Sequence, residues 1–354
     1  MQKVYPNILT IITTYHCTAA CEECCFECSP KLKARLSFQQ ISEFLKESRE
    51  ALGSKVKGVV FTGGECFTLG DDLVRAVGVA HNLGYNVRCV SNGSWAKTPE
   101  KASHIMKAMR DAGLNELNIS TGDNHQAWVP FDIVLNAIGA ASANSINSII
   151  VVEGYRESNF KIGDVYNNRR FQNLQRRATD SENFGSVGVM NNIWIPMHLH
   201  ANVTQQQKYY VTAEQANLAK GCDNVLTTLG LNPYGQVIDC CGLTMEYIDS
   251  MKLGTYRNGT LKEMFNKQFN DFMKIWLWVD GPEKILYFAS TLNHQINFPV
   301  TISHPCQACV ELYKNPIVRE TLQKNYEKVV PEIMLKYSIK LERTNAERKI
   351  ELSY

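Results

Sequence analysis

The chain has 354 residues, enough for about two domains and a sizeable core. Hydrophobic residues are 44% and charged residues 20%, a globular composition that excludes intrinsic disorder. Lys plus Arg number 37 against 35 Asp plus Glu, so a net charge of +2 gives no ground for a nucleic-acid groove or an attracting membrane surface. No apolar stretch approaches the ~20 residues of a membrane span. Met1–Thr14 lacks a signal-peptide cleavage pattern, so the cytoplasm is the expected compartment.

The first two-thirds alternates apolar strands with amphipathic helices. Ile8–Thr14 is a β-branched run that ends just before a group of cysteines. Ser37 with Gln40 reads as a capping box, and Phe38, Ile41, Phe44 and Leu45 follow at helical spacing. Val56–Thr62 is a second strand ending at Gly63-Gly64. Asp71–Leu83 is a helix closed by Gly84, and Asn86–Ser91 a third strand. Thr98-Pro99 opens a helix to about Ala112. Leu117–Thr121 is a fourth strand, Phe131–Ala143 a helix, Ser148–Glu153 a fifth strand, and a sixth lies within Val187–Leu199.

Alternation of this kind predicts a parallel sheet, because parallel neighbours need a crossover and the helix supplies it. Six strands suit a partial barrel better than an eight-fold one, which needs ~250 residues. Asn167–Arg177 holds four arginines and reads as a solvated helix face or a surface for an acidic partner. The texture changes after about residue 205. Thr227–Asn232 and Gln236–Asp239 flank Pro233-Tyr234-Gly235 as a hairpin, and a charged helical tail runs from Pro316. The expected domains are 1–205, 206–315 and 316–354.

Twelve cysteines are too few for a disulfide scaffold in a chain this long, and they cluster. Clustered thiols in a reducing compartment read as metal ligands or redox groups. Cys17, Cys21 and Cys24 follow the pattern C-x3-C-x2-C after the first strand. Three thiolates there can hold three irons of a cubane and leave the fourth open. A zinc site would need a fourth ligand from Cys25, Cys28 or His16; ordinary buried thiols are the plain alternative.

This spacing after the first strand of a β/α chain resembles the radical S-adenosylmethionine superfamily, which shares a C-x3-C-x-aromatic-C motif and a partial (β/α)6 barrel. Glu23 stands where an aromatic residue is usual. Gly63-Gly64-Glu65, ending the second strand, resembles the GGE motif that meets the amino group of the methionine moiety; Cys66 replaces the proline often found next. Ser91-Asn92-Gly93 resembles a further cofactor position. Ser120-Thr121-Gly122-Asp123 with His125 resembles the segment that touches the ribose and carboxylate, although a plain loop fits both segments as well. The resemblance implies a 4Fe–4S cluster held by Cys17, Cys21 and Cys24. It also implies S-adenosylmethionine bound near Gly63, Gly64, Glu65, Ser91, Asn92, Ser120 and Asp123. A 5′-deoxyadenosyl radical would abstract hydrogen from the substrate, after an electron from a low-potential donor such as flavodoxin or ferredoxin.

Cys222, Cys240, Cys241, Cys306 and Cys309 are five thiols, one more than a closed cluster takes. Cys306-x2-Cys309 is a chelating pair, and the hairpin would bring Cys222 near Cys240; zinc is the alternative occupant. The arrangement resembles the SPASM/twitch extensions of peptide-modifying radical enzymes, which implies one auxiliary 4Fe–4S cluster on Cys222, Cys240, Cys306 and Cys309. Adjacent strand residues point to opposite sides, so Cys240 and Cys241 are not expected to ligate one cluster. A spare, protonated Cys241 can return hydrogen to a planar α-carbon radical and invert it; the plain alternative is an inert buried thiol.

Cys24-Cys25-Phe26-Glu27-Cys28-Ser29-Pro30 and the basic stretch to Arg35 resemble the cluster loop of epipeptide-type epimerases. Catalytic Cys241 and a ribosomally made precursor peptide as substrate are what that resemblance implies. Cys25 and Cys28 receive no role. The 16 residues before Cys17 give no room for a leader-binding domain, so the barrel mouth, the C-terminal part or another protein is expected to hold the peptide. The competing reaction is oxidative crosslinking or ring formation with the auxiliary cluster as electron acceptor. A zinc-stabilised binding protein is the competing class, and an enzyme activator is a further reading.

Overall fold

The computed structural model describes residues 2–154, 157–196 and 209–351. Six strands follow one another in parallel: β1 (Ile8–Ile12), β2 (Gly58–Thr62), β3 (Asn86–Ser91), β4 (Glu116–Thr121), β5 (Asn147–Glu153) and β6 (Val187–Asn192). The end of the expected sixth strand, 197–199, lies outside the described residues, as does the expected boundary at 205. A short strand, β7 (Tyr209–Val211), precedes β8 (Thr228–Leu231), β9 (Gln236–Ile238) and β10 (Lys252–Thr255). The main sheet runs β10-β9-β8-β1-β2-β3-β4-β5-β6, while β7 pairs with β11 (Val300–Ile302).

Local chemistry accounts for the crossovers. Ser37 caps helix Phe38–Leu52, its hydroxyl accepting from the Gln40 N–H at 3.2 Å while the Gln40 side chain accepts from the Ser37 N–H at 2.9 Å. Thr98 caps helix Pro99–Asp111 with proline at its start. Helix Phe131–Ala143 has the predicted bounds. The arginine-rich stretch is helix Arg169–Asp180, and Arg170 reaches Asp132 at 2.8 Å and Asn136 at 2.7 Å.

Strand alternation separates the two faces of the sheet. Val59 and Phe61 are buried on one face, and the period of two puts Val60 and Thr62 on the other. Thr10 pairs in register with Val60 and shares that second face. A flat sheet of six strands would be about 24 Å across. Yet the loop after β1 and Trp194, which follows β6, line one cavity with the ends of β2 to β5. The sheet is therefore curled, a partial (β/α)6 barrel whose second face lines the lumen.

The C-terminal part does not stand off from this barrel. β8 pairs in parallel with β1, Ile8 opposite Thr228 and Thr10 opposite Gly230, and the β8–β9 hairpin extends the same sheet.

Candidate active site

The loop after β1 carries Cys17, Cys21 and Cys24 into a cavity of about 120 Å³ at the carboxyl ends of the strands. Its walls include Gly63 and Gly64 from β2, Ser91 and Asn92 from β3, Ser120 from β4 and Glu153 from β5. Gly64 is required there by space: a Cβ would stand 2.2 Å from the His16 carbonyl oxygen and 3.1 Å from the Cys17 Cβ. The bare glycine lets the end of β2 seat against the thiol loop, where the Gly64 and Glu65 N–H groups donate to Thr14 and His16 carbonyls at 2.6 and 2.9 Å.

Burial pushes the Cys17 thiol up to about 12 and raises Cys21 as well. Cys24 moves the other way, to about 6, because the Cys28 side chain hydrogen-bonds its sulfur. Asn92 Nδ2 donates to the Cys17 sulfur at 3.6 Å and to Thr18 Oγ1 at 3.0 Å. Among the described residues no three His, Cys, Asp or Glu converge on a single ion centre. A multi-iron cluster spreads its ligands over several metals, so its thiols need not converge.

Two of the expected cofactor residues turn their side chains elsewhere. Glu65 is 1% exposed and does not line the cavity. Its carboxylate accepts from Phe67 N at 3.0 Å, Asn92 N at 2.8 Å and Ser91 Oγ at 2.9 Å, tying the end of β2 to the end of β3. Asp123 accepts from the N–H groups of Asn159 and Phe160 at 2.7 and 2.9 Å, which fixes the loop after β5. Their carboxylates brace the loops around the site. Ser91 lines the cavity, but its hydroxyl is engaged with Glu65 and the Trp95 indole, at 2.9 Å each.

Glu23, Glu153 and Trp194 are among the further side chains, absent from the sequence-based site, that line this cavity. Glu153 accepts from the Asn124 N–H at 3.0 Å, from the His125 N–H at 3.2 Å and from the His125 ring. Burial and the neighbouring Glu153 raise the Glu23 carboxyl.

A second cavity, of about 270 Å³, is lined by Cys222, Cys240, Cys306 and Cys309 together with Glu283 and His304. Gly242 completes its shape: a Cβ there would fall 3.0 Å from the Cys306 sulfur and 3.2 Å from the Cys240 sulfur. Beside it the buried Tyr313 hydroxyl has no protein partner. Four thiols around one hollow, with a spare hydroxyl donor at its edge, fit a closed four-cysteine cluster.

Cys241 does not line that cavity. Its sulfur donates to Asn224 Oδ1 at 2.9 Å and lies 3.7 Å from Thr228 Oγ1, with Thr10 also within hydrogen-bonding reach. Thr10 and Thr228 belong to the lumen face. The doublet follows β9 rather than lying in it, so strand alternation is not what separates the two sulfurs. The turn does: Cys240 accepts from the Gly242 N–H at 3.2 Å while Cys241 is drawn to Asn224. Burial raises the Cys241 thiol, which keeps hydrogen on its sulfur. Cys25 joins the two regions: it lines the first cavity, and its thiol, raised chiefly by burial, also feels Cys306 and Cys241.

No protein-family model matches the chain, and no curated protein does. Solved structures resemble it at low identity. "Native anSMEcpe with bound AdoMet" is 12% identical with a TM-score of 0.47, over 94% of this chain and 98% of that one. "Crystal structure of BtrN in complex with AdoMet and 2-DOIA" is 13% identical with a TM-score of 0.44, over 80% and 91%. HydG, a maturase of the FeFe-hydrogenase, is 12% identical with a TM-score of 0.40, over 97% and 82%. With scores this low, the functional reading rests on the side chains described above. Among the described residues no helix is long and apolar enough to cross a membrane.

Proposed function

We propose that this chain is a radical S-adenosylmethionine enzyme that epimerises a residue of a ribosomally made peptide, with Cys241 as hydrogen donor. The observation that carries the reading is the division of the thiols. Cys17, Cys21 and Cys24 line the cavity at the strand ends together with Cys25 and Cys28, four other cysteines line the second cavity, and Cys241 stands outside both beside the lumen-facing Thr10 and Thr228.

When bound, the three-cysteine cluster and S-adenosylmethionine supply reductive carbon–sulfur cleavage, and with it a carbon radical that takes hydrogen from a C–H bond. Cys17, Cys21 and Cys24 would hold the first cluster. The backbone of Gly63 and Gly64, with Asn92 and Ser120, would seat the nucleotide. Cys222, Cys240, Cys306 and Cys309 would hold the second cluster. Asn224 orients the Cys241 S–H. Cys241 delivers its hydrogen atom to one face of a planar α-carbon radical after hydrogen has left the other face. The resulting sulfur radical regains one electron and one proton, the electron coming from a low-potential protein donor.

The test is the reaction in deuterated water with any short peptide encoded beside the gene. One solvent deuterium should enter at an α-carbon, with no net loss of two hydrogens. Cys241→Ala should abolish the D-residue while leaving both iron sites filled. A product lighter by two hydrogens that survives Cys241→Ala would favour oxidative crosslinking and overturn the epimerase reading.

A further inference from the structure

We propose that the Glu23 carboxylate is the counter-charge for the sulfonium of the bound nucleotide. This rests on the cofactor reading above. Glu23 lies between Cys21 and Cys24, is 4% exposed and lines the first cavity. Its Oε2 is buried with no protein partner.

The Asn124 side chain hydrogen-bonds the Glu23 carboxyl, but no cation pairs with it. Among the described lining residues there is no lysine or arginine, and the one basic side chain, His125, is taken by Glu153. Glu153 itself is satisfied by two backbone N–H groups and that ring. The orphaned oxygen of Glu23 is therefore left to a ligand. An unpaired carboxylate out of water is costly, and a cationic ligand offsets that cost where a neutral one cannot. An aromatic side chain at this position would offer contact area without charge. Glu23 thus gives the site a preference between two molecules of nearly the same shape: S-adenosylmethionine, with a sulfonium, and S-adenosylhomocysteine, with a neutral thioether.

The experiment is anaerobic equilibrium dialysis of both compounds against the cluster-loaded protein, without reductant. The unaltered protein should bind the sulfonium at least about tenfold more tightly. Glu23→Gln should cut that ratio by roughly five- to tenfold through weaker sulfonium binding, with thioether binding changed less than about twofold. Glu23→Asp, which keeps the charge, should retain most of the ratio. Equal binding of the two compounds by the unaltered protein would overturn the inference without any variant, as would an unchanged ratio in Glu23→Gln. Binding of neither compound would instead overturn the cofactor reading, and this inference with it.

Discussion

Gly242→Ala separates the two thiol groups experimentally. The added Cβ would sit 3.0 Å from the Cys306 sulfur and 3.2 Å from the Cys240 sulfur, inside the roughly 3.5–4.0 Å of an unstrained contact. Gly242 has no left-handed backbone, so alanine meets no conformational penalty and the perturbation acts through the sulfurs alone. Each must retreat by about half an ångström. In the cluster-free protein that overpacking costs ~1–3 kcal/mol. With the proposed cluster bound, iron would fix the sulfurs and leave them less freedom to retreat, so the penalty would fall on metal binding. Iron and sulfide analysis of anaerobically reconstituted protein should find about four fewer irons per chain, the content of one cubane. Cleavage of S-adenosylmethionine should persist, because the first cavity is untouched. Gly78→Ala is the control: a Cβ there meets nothing within 4 Å, and alanine within helix Asp71–Asn82 should stabilise by ~0.5–1 kcal/mol. Full iron content with an unaltered visible spectrum in Gly242→Ala would refute the assignment of the second cavity.

Lys274 and Asp239 form a buried ion pair behind Cys240. Lys274→Met leaves a buried carboxylate unpaired and should lower stability by ~3–5 kcal/mol in urea unfolding, whereas Lys274→Met with Asp239→Leu should recover most of the loss. Burial pushes the Glu65 carboxyl from 4.5 up to about 7. The folded chain then keeps a proton that the unfolded chain releases between those values. Stability should therefore fall by up to ~3 kcal/mol as pH rises through that window, and Glu65→Gln should flatten the slope. A rising slope in the unaltered protein would contradict this.

The barrel was legible because its signals are local. β-branched runs end at glycine or cysteine, and caps such as Ser37 and Thr98 mark helix starts within a few residues. What was hidden depends on pairing at a distance. β8 joins β1 across more than two hundred residues with no sequence mark of the partnership. The side-chain directions of Glu65 and Asp123 were hidden for the same reason: the donors that claim them, Asn92 and Phe160, arrive from other loops. Glu153 had a readable sign, an acid at the carboxyl end of a strand, yet only the fold sets it against His125. The Cys240-Cys241 division was anticipated from strand geometry, but a turn stabilised by Gly242 and Asn224 produces it.

On the proposed function, Cys17, Cys21 and Cys24 hold a cluster that cleaves S-adenosylmethionine. Oxygen-free reconstituted protein, supplied with S-adenosylmethionine and dithionite and followed by chromatography, tests it most directly. 5′-Deoxyadenosine and methionine are expected from the unaltered chain and neither from Cys21→Ala. Absence of both products from the unaltered chain, or their undiminished formation by Cys21→Ala, would contradict it.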